Sequence, residues 1–241
     1  MREQEDAYGR LLLDHLEGRP AQEIVERDDG FIAANLGPAV YFAPYGSWPS
    51  VERRAMRYVR GRVLDVGCGA GRAALRLQER GHEVVAVDIS PLAVEVARRR
   101  GVLDAREVPF ERVDASLGIF DTVLMLGNNF GLVGSAGGAR RALRRLHGLT
   151  GARGRVVAES NDPSRTDDPA HLAYQKRNLE RGRLPGHLRL RVHHRELATP
   201  WFDYLIVSPA DLEALADGTG WRPHRVIRDE GSLYVAVLEK A

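Results

Sequence analysis

Short apolar runs alternate with helical patterns along most of the chain after residue 60. The apolar runs are RVLDVG, EVVAVD, FDTVLML, GRVVAES and YVAVLEK. The helical patterns between them include GRAALRLQER, PLAVEVARRR and GGARRALRRLHGL. Strands that alternate with helices in this way pair side by side in parallel and are covered on both faces. The pattern therefore predicts an α/β fold built on a mostly parallel sheet.

The last third of the chain departs from this alternation. LRLRVHHREL and WFDYLIVS lie close enough in the sequence to pair directly, before a helix that begins at Pro209. We therefore expect the sheet to gain an antiparallel strand near its C-terminal end. The adjacent residues His193 and His194 would lie in the sixth strand, where alternation sends their side chains to opposite faces.

Residues 1 to 60 have a different character. Apolar residues recur at helical spacing in the first 28 residues, which predicts two short helices, the second containing Ile24 and Val25. From Asp29 to Ser50 the chain combines Gly and Pro with five aromatic residues, which favours an ordered loop. A helical pattern follows from Val51 to Arg60. We predict an N-terminal cap of helices and aromatic loop over residues 1–60 and one domain over residues 61–241.

A dense glycine motif follows the first apolar run. Asp65 closes the strand, and glycines at 67, 69 and 71 complete the pattern D-x-G-x-G-x-G. Glycines let the backbone turn sharply and approach a ligand where a Cβ would collide. The helix that begins near Arg72 would point its first amide groups at the turn. The motif predicts a ligand-binding loop.

A second acid stands where the next strand ends. Asp88 lies 17 positions after Gly71, where a carboxylate at a strand tip can accept both hydroxyls of a ribose. A dinucleotide site is the close competitor, but its fingerprint is G-x-G-x-x-G. Here the glycines recur at every second residue and follow an acid, so a nicotinamide-dependent oxidoreductase is disfavoured.

The run LDVGCGAG followed by VVAVDIS resembles motifs I and II of the class I S-adenosylmethionine-dependent methyltransferases. The resemblance implies a Rossmann-like, doubly wound sheet of seven strands, S-adenosylmethionine as cofactor and S-adenosylhomocysteine as product. It implies that Asp65 orients the amino acid end of the cofactor. It also implies that Gly67, Cys68, Gly69 and Gly71 pass beneath the methionine and ribose, that Asp88 holds the ribose, and that Ile89 forms a wall of the adenine site.

The resemblance extends less specifically along the chain. It places an acid, an Asn or a backbone amide against adenine at the third strand and its exit, for which Glu107 is our choice and Asp114 the alternative. The run LGNN after FDTVLM is similar to the strand end of glycine N-methyltransferase-like enzymes. That similarity implies a cofactor contact by the Leu126 backbone, and Asn128 facing the sulfonium or the substrate. Alternatively, Asn128 and its neighbour only supply the turn before Gly131.

Methyl transfer from a sulfonium mainly requires the enzyme to position the acceptor and to exclude water. We therefore assign no catalytic residue. An oxygen or nitrogen acceptor can still require a general base. The candidates outside the cofactor motifs are His171, Tyr174, His193, His194, Glu159, Asn161 and Asp162. The acids at 162, 167 and 168 lie in NDPSRTDDP, which has the composition of a solvated turn, so we expect no metal.

Composition narrows the class of partner. Lys and Arg number 35 against 33 Asp and Glu, a formal charge of +2, which argues against nucleic acid. The single cysteine, Cys68, excludes an internal disulfide, and neither a signal-peptide pattern nor a long apolar stretch is present. We expect a cytoplasmic protein without membrane attachment. The sequence predicts no oligomeric state.

The resemblance implies that the segment from about 161 to 195 is the insertion in which the family usually builds substrate specificity. Its arginines at 177, 181 and 183 are suited to an anionic acceptor such as a carboxylate. We predict methyl transfer to an O or N atom of a small molecule. The alternatives are a non-methylating enzyme on the same cofactor fold, and a cofactor-binding scaffold without catalysis.

Overall fold

The apolar runs form the inner strands of a seven-stranded sheet in the computed structural model, which describes residues 3–34 and 37–241. The strands are β1 (Ile24–Arg27), β2 (Ile32–Ala34), β3 (Val63–Val66), β4 (Val84–Asp88), β5 (Ala105–Glu107), β6 (Phe120–Met125), β7 (Thr150–Asn161), β8 (His187–His194), β9 (Leu197–Ala198), β10 (Phe202–Leu205), β11 (Trp221–Arg228) and β12 (Leu233–Lys240). The helices are α1 (Ala7–Leu16), α2 (Ser50–Ala55), α3 (Arg72–Glu79), α4 (Pro91–Arg99), α5 (Ala136–Gly148), α6 (Pro169–Glu180) and α7 (Pro209–Ala216). Short 3-10 helices include Met56–Tyr58 and Asn129–Val133.

The large sheet has the order β11-β12-β7-β6-β3-β4-β5. The pairs β6–β7 and β4–β5 are parallel, whereas β12 runs antiparallel to both β7 and β11. Every residue of β3 and of β4 is buried, as expected for strands covered on both faces. The predicted fold class is confirmed, with β12 as the antiparallel strand near the C-terminal end.

A second sheet of five strands has the order β10-β8-β1-β2, with β9 paired to β8. The predicted pairing of LRLRVHHREL with WFDYLIVS is present as β8 and β10. The prediction that this pair belongs to the large sheet is wrong. His193 and His194 therefore lie in the second sheet, because β8 finds an antiparallel partner in β1, where Val25 is opposite Val192.

The N-terminal elements differ in part from the prediction. The first helix is present as α1, but Ile24 and Val25 form strand β1 instead of a second helix. Gly18, at φ 72°, and Pro20 end the helical segment, and β-branched residues then favour a strand once partners are available on both sides. The aromatic segment contains β2, and the helix expected from Val51 ends at residue 55 before a 3-10 turn. Residues 1, 2, 35 and 36 of the predicted cap and loop lie outside the described residues.

Contacts divide the chain into two compact units. The first comes from Met1–Trp48, Leu64–Val113 and Arg189–Phe202, and the second from Pro49–Val63, Asp114–Leu188 and Asp203–Ala241. In the first unit, helix α1 packs Leu12 and Leu13 against residues of α4 and against Ala70. The division into a cap over 1–60 and a domain over 61–241 stays a prediction.

Candidate active site

The glycine loop of the first unit runs directly from β3 into α3. Gly67, Gly69 and Gly71 all have left-handed φ values, of 69°, 51° and 76°. The N–H groups of Gly67 and Cys68 both donate to the Val87 carbonyl of β4, at 2.8 and 3.0 Å. A Cβ at Gly69 would lie 2.9 Å from the Tyr8 hydroxyl. The backbone here follows a path that side chains would block, as the sequence motif predicts.

Asp65 stands at the base of this loop, and its side chain is buried. Its carboxylate accepts a hydrogen bond from the Ala74 N–H in the first turn of α3, but its Oδ2 atom has no hydrogen-bond partner among the described residues. Burial raises the pKa of Asp65, and the positive charge of nearby Arg72 offsets part of this effect, so that the pKa is about 7. A buried carboxylate with an unused oxygen is suited to a ligand that brings a cationic donor.

Asp88 ends β4 and is 8% exposed. Its Oδ1 accepts the Ser90 N–H and its Oδ2 accepts the Gly69 N–H, both at 2.9 Å. Burial raises the pKa of Asp88, and these backbone donors oppose that effect. The following Ile89 is 47% exposed, which is unusual for a large apolar side chain next to buried strands. The carboxylate is thus held in place beside the loop.

The third-strand acids occupy different settings. Glu107 is exposed and lies opposite Asp88 in the register of β4 with β5. Asp114 instead caps the short helix Ala115–Leu117, and its Oδ1 accepts the Ser116 N–H at 2.9 Å. Hydrogen bonds from Ser116 lower the pKa of Asp114. Asp114 thus has a local structural role, and Glu107 keeps the position beside Asp88.

Helix α1 contributes polar groups that the sequence pattern does not reveal. The Asp6 side chain caps α1 through the Gly9 N–H at 2.9 Å and accepts the Ser90 hydroxyl at 2.7 Å. Ser90 therefore connects the start of α1 with Asp88. Burial raises the pKa of Tyr8, and the negative charges of Asp88 and other nearby groups add to the effect. Nothing in the sequence marks a lone tyrosine at position 8 as a neighbour of the loop.

The aromatic segment is held by two arginines of α3 and by Arg100, which directly follows α4. The guanidinium carbons of three arginines lie 4.3 to 4.6 Å from the ring centroids of three aromatic residues. The pairs are Arg72 with Trp48, Arg76 with Tyr45, and Arg100 with Phe42. Cation–π contacts of this kind are each worth about 0.5–1 kcal/mol at exposed sites and more when desolvated. These pairs explain why the segment is ordered.

The loop after β6 lies in the second unit. Leu126 is buried, and Asn128 has a left-handed φ of 64°. The Asn128 N–H donates to Oε1 of Glu159 at 2.8 Å, and its carbonyl accepts a hydrogen bond from the Tyr204 hydroxyl. Asn128 therefore does supply an αL turn, as the second of the two interpretations expects, while its side chain remains outside those bonds.

The candidate general bases have different local surroundings. His194 is buried and its Nε2 lies 2.9 Å from Oδ2 of Asp14, whereas His193 contacts Oε2 of Glu26 at 2.7 Å. The predicted alternation of the two histidines is confirmed. In the second unit, Tyr174 is buried on α6, and Nδ1 of His171 lies 3.3 Å from the Thr166 hydroxyl.

The remaining acids of the insertion have local partners. Asp162 accepts the Ser164 N–H at 3.0 Å, and Asp168 caps α6 through the Ala170 N–H. Asn161 accepts the Ser232 hydroxyl through its side chain. Across residues 3–34 and 37–241, no group of three or more His, Cys, Asp or Glu side chains is placed to hold a metal ion. In the same part of the chain, no helix is long and apolar enough to cross a membrane.

Comparison with known proteins bears directly on this loop. A methyltransferase domain model matches residues 63–154, which include the glycine loop, Asp88 and the Asn128 turn. A SAM-dependent methyltransferase from Bacteroides fragilis, solved with S-adenosyl-L-homocysteine, is similar over 100% of this chain and 97% of its own, with 29% identity and a TM-score of 0.85. Residues 63–154 thus match a methyltransferase domain of the S-adenosylmethionine-dependent kind. The predicted family and its cofactor are thereby confirmed.

Curated methyltransferases match shorter stretches. A magnesium-protoporphyrin O-methyltransferase from Rhodobacter capsulatus is 42% identical over 69 residues, 27% of this chain and 31% of that protein. A ubiquinone biosynthesis O-methyltransferase from Methylocella silvestris is 38% identical over 81 residues, 31% of this chain and 32% of that protein. The chain thus spans about a third of the length of these curated relatives. These matches support a relationship to methyltransferases, but they do not identify the methyl acceptor of this chain.

Proposed function

We propose that this methyltransferase moves the methyl group of S-adenosylmethionine to an O or N atom of a small-molecule acceptor. The observation that carries the proposal is the unused, buried Oδ2 of Asp65 beside three left-handed glycines. An orphaned buried oxygen is costly unless a ligand completes it. The amino group of the cofactor supplies a cationic donor of the kind that this oxygen lacks.

The residues in and beside the loop fit the successive parts of the cofactor. Asp65 would hold the amino acid end, and the glycines at 67, 69 and 71, with Cys68, would leave space for the methionine and ribose. Asp88 would accept the ribose hydroxyls, and its carboxylate is already oriented by the Ser90 and Gly69 amides. Exposed Ile89 and Glu107 would face adenine. A cofactor contact by the Leu126 backbone stays a prediction.

When bound, the cofactor would supply an electrophilic methyl group for the acceptor. The chain's own contribution is to orient both reactants and to exclude water. Two curated relatives are named magnesium-protoporphyrin O-methyltransferase and ubiquinone biosynthesis O-methyltransferase, and these names support a small-molecule acceptor. The three arginines of the insertion are exposed and are not shown to line an acceptor site, so an anionic acceptor stays a prediction. A cytoplasmic location also stays a prediction.

Two experiments test the proposal. Titration calorimetry with S-adenosylmethionine, S-adenosylhomocysteine and NAD should show binding of the first two, and binding of NAD alone would contradict it. Labelled S-adenosylmethionine should then transfer label to the small-molecule fraction of a cell extract, rather than to protein or RNA. Gly69→Ala serves as the control that should lose both signals. A protein that binds the cofactor and forms no S-adenosylhomocysteine would instead be a scaffold.

A further inference from the structure

Three segments of the second unit meet around the peptide of Asn128. Its N–H donates to Glu159 on β7, and its carbonyl accepts the Tyr204 hydroxyl from β10. The same carbonyl also accepts the Gly131 N–H at 3.0 Å. A non-glycine residue at φ 64° is strained, and it persists where its surroundings over-determine it. Both polar atoms of the Asn128 backbone are thus fixed by groups distant in the sequence.

Glu159 is the unusual member of this arrangement. It follows three buried apolar residues of β7, lies opposite Val235 of β12, and is 2% exposed. A valine or isoleucine would satisfy the strand pattern, whereas a buried carboxylate is costly unless it is hydrogen-bonded. The hydrogen bond of 2.8 Å from the Asn128 N–H to Oε1 explains why a carboxylate is present at this buried position.

Tyr204 is matched to a glycine. A Cβ at position 131 would overlap the Tyr204 ring, so the ring reaches the Asn128 carbonyl only because residue 131 is glycine. Glu159 and Tyr204 come from two different strands, and neither is needed to close a simple αL turn. Their convergence on one peptide indicates that the exact placement of residue 128 matters.

The side chain of Asn128 supplies the second observation. Its Oδ1 is buried and has no hydrogen-bond partner among the described residues. Buried polar atoms in native proteins are nearly always paired, and an exception calls for an explanation such as a ligand. Since the backbone of Asn128 is already clamped, this oxygen is free to accept a hydrogen bond from a bound molecule.

We infer that Glu159 and Tyr204 are positioning residues, which hold the Asn128 carboxamide so that Oδ1 accepts a hydrogen bond from an O–H or N–H group of the methyl acceptor. This inference rests on the proposed methyl transfer. Neither Glu159 nor Tyr204 touches the acceptor, because both act through the Asn128 peptide. An acceptor whose reacting atom carries no hydrogen would gain nothing from this arrangement.

Tyr204→Phe is the sharpest test, because it removes one hydroxyl and keeps the ring over Gly131. Tyr234→Phe is its matched control, since the Tyr234 hydroxyl donates to the Val207 carbonyl at 2.9 Å in the same unit. With labelled S-adenosylmethionine and the small-molecule fraction of a cell extract, we expect Tyr204→Phe to slow methyl transfer about tenfold or more. Its dissociation constant for S-adenosylhomocysteine should change less than about threefold, and Tyr234→Phe should transfer at nearly the wild-type rate.

Glu159 is tested by rescue. Glu159→Leu removes the acceptor of the Asn128 N–H, so exchange of that amide, followed by NMR, should accelerate about tenfold or more. Glu159→Gln keeps a carbonyl oxygen at the same place and should restore slow exchange together with most of the transfer rate. If Glu159 only supported folding, the two variants would not differ specifically in the exchange rate of the Asn128 amide.

The possible outcomes distinguish failure of this inference from failure of the proposed function. If the wild type transfers label and Tyr204→Phe matches Tyr234→Phe, the positioning role is wrong. If Tyr204→Phe or Glu159→Leu weakens S-adenosylhomocysteine binding in proportion to transfer, the clamp serves the cofactor and the acceptor role is wrong. A wild type that binds S-adenosylhomocysteine but transfers no label contradicts the proposed function, and the acceptor role is then rejected with it.

Discussion

Asp65→Asn removes the charge of a buried carboxylate while keeping its size and one carbonyl oxygen. The pKa of Asp65 is raised from its usual 3.8 to about 7, mainly by burial. A raised pKa means that the folded protein favours the protonated acid, so this contribution to stability is present below pH 3.8 and is lost as the pH rises through 7. Above pH 7 the charge costs the cofactor-free protein about 4 kcal/mol, because each tenfold change in an acid dissociation constant corresponds to about 1.4 kcal/mol.

The same group should make cofactor binding depend on pH. If the cofactor's amino group binds the carboxylate, binding requires Asp65 to lose its proton. The dissociation constant for S-adenosylhomocysteine should then be about tenfold larger at pH 6 than at pH 8. Asp65→Asn should bind weakly at both values, without this slope. Calorimetry at several pH values measures both effects.

Unfolding in urea supplies the complementary measurement. The stability of Asp65→Asn relative to the wild type should rise by roughly 2–3 kcal/mol between pH 5 and pH 8.5, because only the wild type acquires the buried charge. Asp167→Asn, the same change at an exposed position, should show neither effect. A wild-type dissociation constant that is flat from pH 6 to pH 8, or an equal slope in Asp65→Asn, would refute the reasoning.

Three further changes test other parts of the site. Gly69→Ala, at φ 51° and 2.9 Å from the Tyr8 hydroxyl, should weaken S-adenosylhomocysteine binding by about tenfold or more in calorimetry, and retained affinity would mean that the loop tolerates a Cβ. Ser90→Ala removes the hydroxyl that donates to Asp6, so the free energy of unfolding should fall by about 1–3 kcal/mol and hydrogen exchange in α1 should accelerate; unchanged exchange would contradict the link. Asp14→Asn leaves buried His194 without its carboxylate and should cost about 3–5 kcal/mol in urea unfolding at pH 7; a loss below about 1 kcal/mol would show that the pair is dispensable.

The central strands and the cofactor loop could be predicted because their signals are local. Strands β3 and β4 are buried on both faces and so appear as continuous apolar runs, and the glycines mark a backbone that side chains would block. Strand β1 could not be predicted with the same means. Ile24 and Val25 are only two apolar residues, which fit a helix or a strand, and their strand partners lie on β8 near residue 192.

The site contacts that could not be predicted also join residues that are distant in the sequence. Tyr204 reaches the Asn128 carbonyl across 76 positions of sequence, and Ser90 reaches Asp6 across 84. A single tyrosine, serine or aspartate has no spacing that would mark such a contact. Glu159 is recognisable in the sequence as an acid at a strand exit, but its bond to the Asn128 amide depends on how the β6 loop folds.

The order of strands in the large sheet has a consequence for how the protein is made. Strand β12 lies between β11 and β7, although it is synthesised after both of them. Until residues 233–240 have been synthesised, the apolar edge of β7 lacks its neighbour, and an unpaired edge invites association with other chains. A nascent chain stalled before Leu233 should therefore depend on chaperones, and a tag that obstructs β12 should lower the yield of folded protein more than one on the opposite edge at β5.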